Sequence, residues 1–207
     1  SKVPADKLLK NNLGRLSEKM VDAWEVIKHC GDDERAKLAT SIDELEIVTK
    51  NLDEIELAGG YKSWKKLTKK FNDYIQNLKT KLNPRKDLPD GFFERKVTGN
   101  DIQYEAVGGG EKIWADGVNT SKRALLDAKH NPGNFYTLDN FNQKPFLYGD
   151  LEDEFRRYGK IIADESNPTK ELIIFISRES KNSVSLFELL ANKYNVPIKV
   201  ELIPWTP

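Results

Sequence analysis

The chain has 207 residues, 38% hydrophobic and 32% charged, with 33 basic and 33 acidic side chains and no formal net charge. That is enough apolar material to bury the core of one large domain or two small ones, and neither half carries the basic surplus of a protein held on nucleic acid by charge alone. Composition also excludes an internal disulfide, because Cys30 is the only cysteine, and argues against a cysteine or histidine metal cluster, because the histidines are His29 and His130 alone.

In chain order, the first ninety residues have helical periodicity. Leu9, Leu13, Leu16, Met20, Trp24 and Ile27 step by three or four, as do Leu38, Ile42, Leu45, Val48, Leu52 and Ile55, and again Trp64, Leu67, Phe71, Ile75, Leu78 and Leu82. Each set forms one apolar stripe, so three amphipathic helices are expected. GDDE at 31–34 and AGGY at 58–61 separate them with the glycine and acidic residues that end and start helices. The opening SKVPADKLLK lacks the apolar core of a signal peptide, and no run of about 18 apolar residues predicts a membrane span. LNPRKDLPDG at 82–91, with two prolines and a glycine, marks a boundary. A helical leader over 1–88 and a second domain over 89–207 are therefore expected.

Beyond that boundary the period changes. DIQYEAV (101–107), EKIWADGV (111–118) and RALLDAK (123–129) read as three short antiparallel strands joined by GGG and NTS turns. About twenty residues without clear periodicity follow, from Lys129 to Asp150, a length usual for functional or mobile loops. LEDEFRRYGKIIAD (151–164) is helical, KELIIFIS (170–177) is a strand buried on both faces, SVSLFELLANKYN (183–195) is a helix and IKVELIPW (198–205) a final strand. A strand, a helix and a strand in that order make a parallel crossover. The expected fold is α/β, a mixed sheet flanked by helices and preceded by an all-α segment.

The chemistry concentrates in WADGVNTSKRALLDAKH, residues 114–130. On a strand, alternate residues share a face, so Asp127 and Lys129 project together. Asp116 ends the preceding strand and can reach Asp127 across the pairing. Two carboxylates brought together repel unless a cation or a proton lies between them, and oxygen ligands of this kind suit Mg²⁺ or Mn²⁺. Lys129 on the same face could orient water or stabilise charge developing on a phosphate. The plainer alternative is a turn-capping Asp116 and an Asp127–Lys129 ion pair on an exposed edge strand.

This arrangement resembles the PD-(D/E)xK nuclease superfamily, the restriction-endonuclease fold, whose signature places an acidic residue at one strand end and (D/E)-x-K on the next. GFFERKVTGND, WADGV, LLDAKH and EFRRYGKIIAD together resemble the restriction-endonuclease-fold toxin domains of bacterial polymorphic toxins, and LDEIELAGGYKSWKK resembles the pretoxin segments upstream of them. The resemblance covers about residues 90–207. It implies a metal-dependent endonuclease, with DNA favoured as substrate and tRNA or another RNA as the alternative. It implies Asp116, Asp127 and Glu94, on a first helix GFFERKV, as ligands of Mg²⁺ or Mn²⁺, with Lys129 completing the catalytic set. It also implies delivery within a larger secreted toxin, action in the cytoplasm of a rival cell, and a cognate immunity protein covering the cleft and the 131–150 segment. Oligomeric state is left open. A nuclease fold that only binds, or an adaptor working through its helical bundle, are the competing readings.

Arg156, Arg157 and Tyr158 are candidate substrate contacts on the helix after the loop, since guanidinium forks suit phosphates. Neighbours on a helix point about 100° apart, so only one arginine is expected to face the site. His130, one residue past Lys129, is expected on the opposite face with a structural role. Lys62, Lys65, Lys66, Lys69 and Lys70 read as a solvated helix face, and His29 and Cys30 as a helix end.

Overall fold

A computed structural model describes residues 43–44, 46–83 and 89–205. The expected first helix, Leu9 to Ile27, lies outside the described residues, as do His29 and Cys30 and residues 84–88 of the boundary stretch. The chain divides into two compact units, residues 1–66 and 67–207.

In the first unit, α1 (Leu52–Leu57) and the start of α2 (Tyr61–Gln76) follow the expected stripes. Val48, Ile55 and Trp64 are buried together, with Leu52, Ala58 and Tyr61 packed on them. Lys65 lies 3.6 Å from Glu44 and 5.7 Å from the Tyr61 ring centroid, so part of the lysine face is locally paired.

The second unit begins within α2, where Phe71 and Ile75 are buried. The third apolar stripe predicts helix as far as Leu82, but α2 stops at Gln76 and the chain enters β1 (Thr80–Leu82). The ladder explains the change. Thr80 pairs with Tyr104 in antiparallel register, and the Glu105 N–H donates to the Lys79 carbonyl at 2.9 Å, so these backbone groups are satisfied by a strand. Leu82 is consequently 69% exposed rather than part of a helical stripe.

After α3 (Pro89–Thr98), β2 (Ile102–Gly108) and β3 (Glu111–Ala115) form a hairpin that joins β1 in a three-stranded sheet. Its turn places Gly109 and Gly110 at φ 55° and 76°, the left-handed region that glycine enters without strain. The single strand expected over 111–118 is divided at Asp116. β4 (Gly117–Asn119) belongs to a second sheet of order β4-β5-β6-β7, with β5 Ala124–Lys129, β6 Glu171–Ser177 and β7 Ile198–Ile203. β4 and β5 are antiparallel, whereas β5, β6 and β7 are parallel, the mixed sheet the pattern predicted. Asp116 sits at the joint between the two sheets, and its N–H still donates to the Leu126 carbonyl at 2.9 Å.

The 131–150 segment is more structured than its lack of periodicity suggested. It contains α4 (Leu138–Gln143), capped by the Thr137 side chain, and a 3-10 turn over Pro145–Tyr148. Tyr148 is buried, stacks on Phe135 at 4.9 Å and accepts from Asn140 Nδ2 at 2.7 Å. Aromatic packing around one tyrosine has no helical or strand period, which is why the pattern did not show it.

α5 (Gly149–Ala163) and α6 (Val184–Lys193) close the core over the second sheet. From α5, Leu151, Phe155, Tyr158, Ile161 and Ile162 are buried, and Phe155 stacks on Phe187 of α6 at 6.0 Å. They cover Leu125, Leu172, Ile174 and Ile176 of the central strands, each worth about 1.5–3 kcal/mol when removed from water. Gly159 lets α5 approach the end of α6. A Cβ there would run into the Tyr194 carbonyl oxygen. Glycine to alanine inside a helix normally stabilises by about 1 kcal/mol. Here the overlap is with backbone, which cannot swing aside, so Gly159→Ala is expected to destabilise by about 2 kcal/mol in urea unfolding. A gain in stability would show that α5 and the chain after α6 separate easily.

Candidate active site

The joint between the sheets opens into a cleft of about 460 Å³, lined by residues that include Glu94, Asp116, Asp127, Lys129, Glu154 and Tyr158. A larger, shallower depression beside α4 has none of these carboxylates or Lys129, so the chemistry lies in the smaller space. Three elements converge there: α3 brings Glu94, the β3–β4 joint brings Asp116, and the end of β5 brings Asp127 and Lys129.

Asp116 is fixed at both oxygens. Oδ1 accepts from Gln103 Nε2 at 2.9 Å and Oδ2 from the Ala128 N–H at 2.8 Å. Burial, then the charge of Asp127, pushes its carboxyl well above the usual range, against the pull of Lys129. Glu94 accepts from Asn83 Nδ2 at 2.5 Å, and its side chain is in hydrogen-bonding contact with Asp116. Burial raises its pKa, and Asp127 adds to the rise.

Asp127 is 5% exposed. Burial would raise its pKa, but the charge of Lys129 and contact with Asp116 together hold it below the usual value. Lys129 Nζ lies 3.0 Å from Asp127 Oδ2 and 2.7 Å from Glu154 Oε1. Burial would strip its proton, yet Asp127, Glu154 and Asp116 keep its pKa well above that of an ordinary lysine. Despite the short Lys129 distance, Asp127 Oδ2 makes no hydrogen bond among the described residues.

Glu154 has no counterpart among the residues singled out from sequence. It lies on α5 one turn before Tyr158, so the two share a face toward the cleft. Burial first, then Asp127, raises its carboxyl to about 7, against the opposing pull of Lys129. The available signal was an acidic residue four positions before an inward tyrosine on an amphipathic helix, set against a lysine strand end. Tyr158 itself is buried, and burial followed by the charge of Asp127 pushes its hydroxyl well above its usual pKa.

The other two candidates on α5 are elsewhere. Arg156 donates to Glu111 at 2.6 Å and to Asp153 at 3.0 Å, and Arg157 donates to Asp153 at 2.7 Å. Both border a separate shallow depression beside the β2–β3 turn. The structure thus brings together Glu94, Asp116, Asp127, Lys129 and Tyr158, and does not bring Arg156 or Arg157 to them. His130, expected on the far face, lines the cleft, because β5 ends at Lys129 and strand alternation stops there.

A family model described as "Restriction endonuclease fold toxin 2" matches residues 89–197, from the start of α3 almost to β7. The chain belongs to this family of restriction-endonuclease-fold toxins. No curated protein and no solved structure matches it. The match spans every element that carries the cleft carboxylates and Lys129. Among the described residues no helix is long and apolar enough to cross a membrane.

A divalent cation is the group this fold family implies. Among the described residues no three His, Cys, Asp or Glu side chains already surround one point as a cage. The donor chemistry nevertheless fits. Burial first, and then the charge of Asp127, drive Glu94 and Asp116 toward protonation, and Asp127 offers a buried oxygen without a hydrogen bond. These are hard oxygen donors whose repulsion a small divalent cation relieves.

Proposed function

We propose that the chain is a metal-dependent endonuclease toxin that hydrolyses phosphodiester bonds, with DNA favoured and tRNA or another RNA as the alternative substrate. The observation that carries the reading is the convergence of Asp116, buried Asp127 and Lys129 with Glu94 in one cleft, inside the stretch matched by the toxin family. A catalytically inactive binding module is disfavoured because such a site stacks buried, repelling carboxylates that a merely structural cleft has no use for.

Glu94, Asp116 and Asp127 are the residues that hold Mg²⁺ or Mn²⁺. Bound there, the cation supplies Lewis acidity and neutralises charge at the phosphate. Lys129 keeps its proton and offers a fixed positive charge to the reacting phosphate. Glu154 and Asp127 hold that ammonium in place. The Ala128 N–H and Gln103 hold the Asp116 carboxylate toward the cleft. Residues 89–207 are the proposed catalytic domain, with β1 from the segment before them completing the first sheet, and the chain is delivered within a larger secreted toxin into a rival bacterium's cytoplasm.

Cleavage of plasmid DNA or tRNA is expected in Mg²⁺ or Mn²⁺ and is expected to disappear in excess EDTA, returning when the cation is restored. Full activity in EDTA would sink the proposal. A cell making the free enzyme would cut its own nucleic acid, so a cognate immunity protein is part of the reading. Phe135, Phe146 and Leu147 of the 131–150 segment are 45%, 79% and 47% exposed and supply apolar surface for it.

A further inference from the structure

His130 is held more tightly than a surface histidine needs to be. Its Nδ1 lies 2.8 Å from Ser177 Oγ, Ser177 Oγ lies 2.8 Å from Ser180 Oγ, and Ser180 Oγ accepts from the Asn131 N–H at 2.8 Å. Ser177 and Ser180 are 0% and 2% exposed. The ring also packs on Phe93 at 5.8 Å and on Trp205 at 6.3 Å. Glu179, 3.8 Å from the same nitrogen and about half exposed, is beyond hydrogen-bond reach. Ser177 ends β6 beside the end of β5, so this chain of contacts sits at the carboxyl ends of two adjacent parallel strands, where open α/β sheets hold their ligands.

The direction of the protons follows from the one donor that cannot turn. The Asn131 N–H points at Ser180 Oγ, whose own proton then goes to Ser177, and that of Ser177 goes to His130 Nδ1. In the reverse order the Ser180 proton has no acceptor, because this hydroxyl has no other partner among the described residues. A buried hydroxyl proton without an acceptor is costly. Neutral His130 therefore carries its proton on Nε2. That nitrogen has no hydrogen-bond partner among the described residues and is not sealed from solvent, and His130 lines the cleft one residue from Lys129.

We infer that His130 is a substrate-binding residue whose Nε2–H donates to a phosphate oxygen of the nucleic-acid backbone next to the cleaved bond, with Ser177 and Ser180 as positioning residues that set its tautomer. This rests on the nuclease reading and adds a contact to it. The inference separates the two ring nitrogens, and so do two substitutions. Glutamine places an amide N–H near the position of Nε2, whereas asparagine reaches only the position of Nδ1.

The test measures KM and kcat for His130→Gln and His130→Asn in Mn²⁺, on whichever of a labelled DNA duplex or tRNA the unmutated chain cleaves. His130→Gln is expected to keep KM within about three-fold. His130→Asn is expected to raise it about ten-fold, the loss of one hydrogen bond to a charged oxygen, with kcat of both variants within about three-fold. The reversed order, equal losses in both, or no loss in either overturns the inference, because a structural histidine is served better by asparagine, which preserves the Ser177 contact. A second readout needs no activity. Nitrogen–proton NMR correlations of the imidazole in EDTA are expected to show the neutral ring protonated at Nε2, and protonation at Nδ1 overturns the inference. If the unmutated chain cleaves neither nucleic acid, the nuclease reading fails and this one with it. Cleavage by the unmutated chain with unchanged His130→Asn kinetics removes this inference alone.

Discussion

Lys129→Met is expected to cost the metal-free protein about 3–5 kcal/mol of stability and, in the folded fraction, to slow cleavage by roughly two to four orders of magnitude. Lys129 is the cation that the cleft carboxylates share, 3.0 Å from Asp127 and 2.7 Å from Glu154, with Asp116 also raising its pKa. Methionine keeps the length and the apolar stem and removes the charge. Asp127 then remains 5% exposed with no counter-ion, and it must take up a proton or pull water into the core. The loss is expected to be smaller at pH 5 than at pH 8, because protonation neutralises the carboxylates that Lys129 no longer balances. Urea unfolding at the two pH values measures this. Mn²⁺ titration of the folded variant is expected to show the metal still bound, since Lys129 is no ligand. A variant as stable as the unmutated chain at pH 8 would mean that the ion pairs contribute nothing, and full activity would remove Lys129 from the chemistry.

The distribution of these partners explains which parts of the site were legible in the sequence. Asp116, Asp127 and Lys129 lie within fourteen residues on adjacent strands, so alternation and a short turn bring them together whatever the rest of the chain does. Glu94 required only that the first helix lie over that hairpin. Glu154 depends on how α5 is rotated about its axis, which Leu151, Phe155 and Ile162 decide by packing on the sheet. The same rotation carries Arg156 and Arg157 away to Glu111 and Asp153, although their charge alone suggested a phosphate site. Strand periods located β2, β5, β6 and β7 within a residue or two, because those runs are bounded by turns or have both faces buried. The break at Asp116 and the early end of α2 were not readable. Both are settled by which distant strand completes a backbone ladder, and a one-dimensional pattern carries no record of that. The segment around Tyr148 was opaque for a related reason, since its order comes from aromatic contacts among Phe135, Phe141 and Tyr148 rather than from a period.

Without metal, the protein is expected to lose about 1–3 kcal/mol of stability as pH rises from 4.5 to 7, and Asp127→Ala is expected to flatten that slope. Glu154 has its carboxyl raised from 4.5 to about 7, by burial and then by Asp127 against the pull of Lys129. A carboxyl raised in the native state binds its proton more tightly there than in the unfolded chain. Its stabilisation is complete below about pH 4.5 and disappears as pH passes about 7, so the slope is negative across this window. Asp116, raised by burial and by Asp127, acts in the same direction. Asp127 itself is lowered, and its contribution is lost only at more acid pH, below the window. Lys129 is raised above 10.5 and stays charged throughout. The magnitude is kept below the full linkage because 26% of the Glu154 side chain remains accessible to solvent. Removing Asp127 takes away a charge that lifts both Asp116 and Glu154, while Glu154 still holds Lys129 at 2.7 Å. The variant also gives up the Asp127–Lys129 pair, so the effect of Asp127 on its neighbours is read from the slope with pH in EDTA rather than from one melting temperature. Adding Mn²⁺ at about one hundred times its Kd is expected to stabilise the unmutated chain by about 2.7 kcal/mol and the variant by far less. Thermal melts from pH 4.5 to 7.5, each in EDTA and in Mn²⁺, give both comparisons. A flat or rising profile for the unmutated chain would mean that the carboxylates are not packed as tightly as this, and equal stabilisation of both proteins by Mn²⁺ would remove Asp127 from the metal site.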